Sequence, residues 1–190
     1  MPDQHRLAQI AALSDPATSA RKDAATAIFH AGAQIIAPLL QQWQANSGLA
    51  ACIPSAGPPK ITVGIAVESA RFEEIRVANG TPPLADVPPD QDTEEFELEF
   101  PGGVRLDILS TREPTGSGAI ARYLKKFGEG IQQIEVNVND VDRATQLLRT
   151  QFALESVYPA TRAGANRTRV NFFLIAIPGG GRLLVELVQA

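Results

Sequence analysis

The chain has 190 residues, 44% apolar and 20% charged, so it can bury a sizeable core as one domain with an appendage or as two small ones. Its net charge of −4 comes without any dense Lys/Arg run, which argues against a nucleic-acid or anionic-membrane partner. The lone Cys52 excludes an intrachain disulfide and a multi-cysteine zinc site, and it fits a reducing compartment.

Residues 1–6 are polar and lead into an amphipathic stretch rather than an apolar signal region, and no apolar run approaches bilayer-spanning length. A soluble, cytoplasmic protein is expected. Residues 3–49 read as helical. Leu7, Ile10, Ala11 and Leu13 mark a first helix that Ser14-Asp15-Pro16 stops. Ser19 is the expected cap of a second helix, with Ala24, Ala25, Ile28 and Phe29 on one stripe. Helical spacing continues through Ile35, Ile36, Leu39, Leu40 and Trp43, and Pro38 inside it predicts a kink or a fresh helix start. Residues 53–59, rich in Pro, Ser and Gly, read as a linker. This divides the chain into a helical appendage with linker, residues 1–56, and a second region, residues 57–190.

Beyond Pro59 short β-rich runs alternate with helices. The expected order is strand 61–67, helix 69–77, a proline-rich loop 79–92, strands 95–100 and 104–109, and helix 116–127. It continues with strand 132–138, helix 141–152 with Asp140 as N-cap, and strands 169–177 and 182–188 around Pro178-Gly179-Gly180-Gly181. Two echoes run through this order. Residues 62–67 match 133–138 at an offset of 133 − 62 = 71, and the hairpin at Pro101 matches that at Pro178 at 178 − 101 = 77. Two short similarities in the same order argue for duplication.

Side chains alternate along a strand, so each strand has an apolar, helix-packed face and a second face. On the second face fall Thr62, Gly64 and Ala66, then Arg105 and Asp107, then Gln133, Glu135 and Asn137, then Leu184, Glu186 and Val188. If both repeats join one curved sheet, Thr62, Asp107, Gln133 and Glu186 line a concavity, with Arg105, Glu135 and Asn137 beside them. A solvated sheet face gives the same alternation without a site. Glu186 stands out, because a carboxylate among Leu183, Leu184, Val185, Leu187 and Val188 is costly unless it is paired.

Several segments carry a resemblance. Gly64-Ile65-Ala66-Val67, Pro89-Asp90-Gln91, residues 117–124, residues 128–134, Arg169-Val170-Asn171-Phe172 and Leu184-Val185-Glu186-Leu187-Val188 are similar, in that order, to methylmalonyl-CoA epimerases and their glyoxalase-like relatives, the vicinal-oxygen-chelate family. The resemblance implies an α+β fold, two βαβββ repeats forming a curved mixed sheet with helices outside, here with an N-terminal helical appendage. It also implies a ligand pocket for a small carbonyl or acyl-CoA compound. The helical appendage lies outside the resemblance, and three roles stay open for it: capping the cavity, a homodimer contact through Trp43 and its apolar stripe, or covering a sheet edge. The family's metal positions fall on Thr62, Asp107, Gln133 and Glu186, so both family histidines are replaced. The epimerases use a carboxylate base on each side of the substrate carbon. Glu186 corresponds to one, and Glu95 or another acid of residues 94–99 to the other.

Thr and Gln oxygens are weak ligands where imidazole is strong, so Asp107 and Glu186 would anchor an oxygen-only site for Mg, Mn or Ca, or no metal binds at all. His5 and His30 lie in the helical appendage and do not replace the missing pair. Two functions stay open. One is an isomerase or lyase with Glu186 as catalytic base and Thr62, Arg105, Gln133, Glu135 and Asn137 contacting the ligand. The other is a non-catalytic ligand-binding or interaction module that has lost the family's metal chemistry.

Overall fold

A computed structural model describes residues 4–54, 59–177 and 181–190. Residues 55–58 of the expected linker at 53–59, and residues 178–180 of the expected turn at 178–181, lie outside the described residues. The chain forms two compact units, Met1–Gly32 with Thr62–Gln132, and Ala33–Ile61 with Gln133–Ala190.

In the first unit, helix α1 (Gln4–Ala12) ends where Leu13, Ser14 and Asp15 turn back to the carbonyls of Ile10, Ala11 and Ala12. Helix α2 (Thr18–Ala45) then begins one residue before Ser19, which is therefore helical and not the cap. Just ahead of the helix the Asp15 carboxylate accepts from the Ala17 amide at 2.7 Å, a local turn that precedes the first helical residue. Strand β1 (Ile61–Ala66) precedes helix α4 (Ser69–Ala78), strands β2 (Glu94–Phe100) and β3 (Val104–Ser110), and helix α5 (Ala119–Phe127); helix α3 (Ser47–Ala50) belongs to the other unit. Strand β1 runs parallel to β3 and β2 antiparallel to it. Val63, Ile65, Phe96, Leu98, Leu106 and Ile108 point to one face and join Phe72 and Ile75 of α4 in a single core. Ile10, Leu13, Ala24, Ala25 and Ile28 enter the same core, so the amino-terminal helices supply a layer of that sheet's packing. Gly32 marks how close they come, since a Cβ there would lie 2.6 Å from Val63 Cγ2.

In the second unit, strand β4 (Gly130–Asn137) leads to helix α6 (Val141–Gln151), the two-residue strand β5 (Arg162–Ala163), a 3-10 turn (Ala165–Arg167), and strands β6 (Arg169–Ala176) and β7 (Arg182–Gln189). Asp140 caps α6 as expected, accepting from the Arg143 amide at 2.9 Å. Strand β4 is parallel to β7, β6 antiparallel to β7, and β5 antiparallel to β6. Ile36, Leu40 and Trp43 of α2 are buried, so Trp43 is core and offers no exposed dimer contact. Pro38 lies inside an unbroken α2, and no new helix starts there. At 28 residues α2 is also long and apolar enough to cross a membrane by length and composition, contrary to the sequence reading. Its apolar stripe at Ala24, Ala25, Ile28, Ile36, Leu40 and Trp43 is instead buried within the fold.

The duplication is visible in the pairing. Each unit has a strand, a helix and then a hairpin, whose last strand lies parallel to the first. Gly64 pairs with Asp107, and Glu135, 71 residues after Gly64, pairs with Glu186. The last strands are thus related by 186 − 107 = 79, two more than the 77 of the hairpin echo. A shift of two leaves every side chain on its own face.

Two substitutions test this packing. Gly32→Val forces two methyl groups against Val63 and should cost about 1–3 kcal/mol in urea unfolding. Asp140→Ala should cost about 1 kcal/mol by loss of the α6 cap, with the unfolding slope unchanged.

Candidate functional site

The residues singled out by alternation fall into one group in each unit. In the second unit, parallel pairing of β4 with β7 puts Gln133, Glu135 and Asn137 on the same face as Leu184, Glu186 and Val188. Gln133 and Glu186 are both buried, and the Gln133 amide donates from Nε2 to Glu186 Oε2 at 2.8 Å. The same nitrogen is 3.5 Å from Glu135 Oε1, so one amide lies between two carboxylates that are direct neighbours across the strands. Asn137 serves the backbone, with its amide N–H on the Lys60 carbonyl at 3.1 Å and its Nδ2 at 3.5 Å from the same oxygen.

Phe172 of β6 pairs with Glu186 and shares its face, a neighbour the sequence reading did not name. Tyr158 stands edge-on to Phe172 with ring centroids 5.9 Å apart, and the Arg162 guanidinium lies 4.6 Å over the Tyr158 ring. The Val157 amide holds this segment to β6 through the Phe172 carbonyl at 2.7 Å. Alternation in β6 would have exposed Phe172; the Tyr158 contact depends on a loop with no periodic signal.

In the first unit, Thr62 and Asp107 are buried on the face opposite the core. Arg105 shares that face and is bound by β2, with Nε 2.6 Å from Glu97 Oε1 and 3.2 Å from Glu99 Oε1. Glu95, Glu97 and Glu99 alternate along β2 opposite Leu109, Asp107 and Arg105. Burial pushes the Glu95 carboxyl from 4.5 up to about 7. An acid in that range can give and take a proton at neutral pH. Cys52 has no such poise, since burial raises its thiol further from ionisation. Among the described residues, no three His, Cys, Asp or Glu side chains form a group that could hold a metal ion. His5 contacts Gln9 on its own helix at 3.0 Å.

Solved structures share this architecture. Methylmalonyl-CoA epimerase from Mycobacterium tuberculosis is 31% identical, with 67% of this chain and 85% of that one covered at a TM-score of 0.53. The chain belongs to the vicinal-oxygen-chelate, glyoxalase-like family. Its fold is the family's α+β arrangement of duplicated strand–helix–strand units in a mixed sheet, with an amino-terminal helix added. A hypothetical protein from Bacillus halodurans shows the fold at 22% identity, covering 68% of this chain and 91% of that one at a TM-score of 0.54. So does a Streptomyces coelicolor methylmalonyl-CoA epimerase variant in complex with 2-nitronate-propionyl-CoA, at 23% identity, 68% and 94% coverage and a TM-score of 0.52. No protein-family model matches the chain, and no curated protein does.

The raised Glu95 carboxyl has a consequence for stability. The folded protein keeps that proton up to about pH 7, whereas the unfolded chain releases it near 4.5. Stability from this group is therefore complete below pH 4.5 and is lost as the pH rises through 7. Glu95→Gln should match the wild type in unfolding free energy at pH 4 and exceed it at pH 8 by about 1–3 kcal/mol, as read by urea unfolding.

Proposed function

We propose that this chain is an isomerase acting on a small carbonyl compound or acyl-CoA thioester, with Glu186 as the base that removes the proton beside the carbonyl. The Gln133–Glu186 hydrogen bond carries the proposal, because it holds a buried carboxylate in a fixed position on the face opposite the core. In such a step the C–H bond breaks, its proton goes to the Glu186 carboxylate, and the electron pair moves to the carbonyl oxygen as an enolate. That oxygen needs a donor, and the Gln133 amide would supply one by giving up its longer 3.5 Å contact with Glu135. Return of the proton to the opposite face inverts the carbon and requires a second acid.

Family membership implies a divalent metal ion, and the residues at the corresponding positions do not fit one well. Thr62, Asp107, Gln133 and Glu186 offer oxygen donors and no imidazole. Gln133 also turns its N–H toward Glu186, and a donor in that position is no ligand. No step above passes through a metal.

The same replacement of both histidines favours a second reading, a non-catalytic module that binds a ligand on the retained face. Solvent deuterium exchange separates the two. With a 2-methyl-branched acyl-CoA in D2O, the wild type should wash deuterium into C2, and Glu186→Gln should be slower by roughly 10²–10⁴-fold. Thioester that binds but never exchanges would leave the binding module as the answer. Equal exchange by Glu186→Gln would remove Glu186 from the mechanism.

A further inference from the structure

We infer that the reacting carbon of the substrate carries an uncharged apolar group, a branched alkyl or a phenyl ring, which rests on Phe172, Leu174 and Leu184 with Tyr158 at its edge. This names a substrate class for the isomerase reading above and rests on that reading. Every residue involved belongs to the second unit.

Strand pairing sets the side chains of this face in rows. Gln133 of β4 lies beside Leu184 of β7, which lies beside Leu174 of β6; in the next row Glu135, Glu186 and Phe172 follow in the same order. Each row thus runs from polar at β4 to apolar at β6. The Gln133 amide crosses from the first row to Glu186 in the second at 2.8 Å. A carbonyl held by Gln133 and a proton taken by Glu186 put the reacting carbon between those two residues. Of the directions left along the face, β4 offers its substituent the Glu135 carboxylate and β6 offers hydrocarbon.

That hydrocarbon is not spent on the core. Leu174 is 46% exposed, and Phe172 and Leu184 are half-buried, while Phe173, Ile175, Leu183 and Val185 between them close the core on the other face. A lone exposed leucine is ordinary. Three adjoining apolar side chains, one of them paired with a buried acid, make a surface. Its border is fixed as well. Tyr158 meets Phe172 edge-on, and the Val157 amide donates to the Phe172 carbonyl at 2.7 Å. Ser156 bridges to Phe173, and the Arg149 guanidinium donates to the Pro159 carbonyl at 3.2 Å, so the chain is tied down on both sides of Tyr158.

Charge argues against an anionic substituent. A carboxylate placed here would face Glu186 and Glu135, and like charges brought together in a binding site are costly. Two arginines of β5 and β7 share the face, and neither stands in these rows. Arg162 neighbours Val170, on the far side of Phe172 from Leu174, with its guanidinium against the Tyr158 ring. Arg182 begins β7, roughly 13 Å along the strand from Glu186.

Calorimetry on the full chain tests this with two N-acetylcysteamine thioesters, 2-phenylpropanoyl and methylmalonyl, which differ in bearing a phenyl ring or a carboxylate on C2. The wild type should bind the phenyl compound at least tenfold more tightly. Leu174→Lys should reverse that order, and Tyr158→Ala should weaken the phenyl compound roughly tenfold. Leu174 and Tyr158 are both exposed, so unchanged circular dichroism and melting would show the variants intact. A wild type that binds neither thioester or favours the carboxylate overturns the inference, as does a Leu174→Lys variant that keeps the wild-type preference. Deuterium exchange at C2, followed on the same samples, separates the two readings. Preference for the phenyl compound without exchange keeps the apolar surface and ends the isomerase reading; exchange of both compounds with equal affinity does the reverse.

Discussion

A carboxylate taken out of water must find a donor or give up its charge, and this chain shows both outcomes. Glu186 sits buried in β7 and meets the Gln133 amide at 2.8 Å. Glu95 is driven by the same desolvation toward its protonated form, to about 7. In both units the apolar faces of the strands are committed to helices, so acids and amides are left on the second face. The arrangement of polar residues follows from how the core is built.

That dependence explains what could be read in advance. Period-two alternation in residues 104–109 and 182–188 assigns Asp107 and Glu186 to the non-core face, and the observed pairing agrees. Asp140 before a run of helical spacing is a cap signal with a local mechanism, and it caps α6. Ser19 carried the same kind of signal and failed, because the helix already begins at Thr18 and Ser19 is its second residue. Pro38 was read as an interruption, yet the burial of Ile36, Leu40 and Trp43 around it keeps α2 in one piece. Tertiary packing outweighed a local preference there.

Contacts between segments distant in the chain were out of reach. Nothing in residues 1–32 announces that Ile10, Leu13 and Ile28 share a core with Val63 and Phe72; an amphipathic helix shows that it packs, not on what. Likewise the Arg105 guanidinium had several acids to choose from, and the antiparallel register of β2 against β3 selects Glu97 and Glu99. Loop residues 153–161 have no period at all, so Tyr158 against Phe172 could come only from coordinates.

Where relatives with an imidazole would have a group that titrates near neutrality, this chain has an amide at position 133. An amide neither gains nor loses a proton across the biological range, so any response of this contact to acid belongs to the Glu186 carboxylate and not to its donor. Protons and metal ions compete for an imidazole; neither competes for Gln133. Whatever this face handles, the donor on that strand keeps the same two N–H groups at every pH the protein meets.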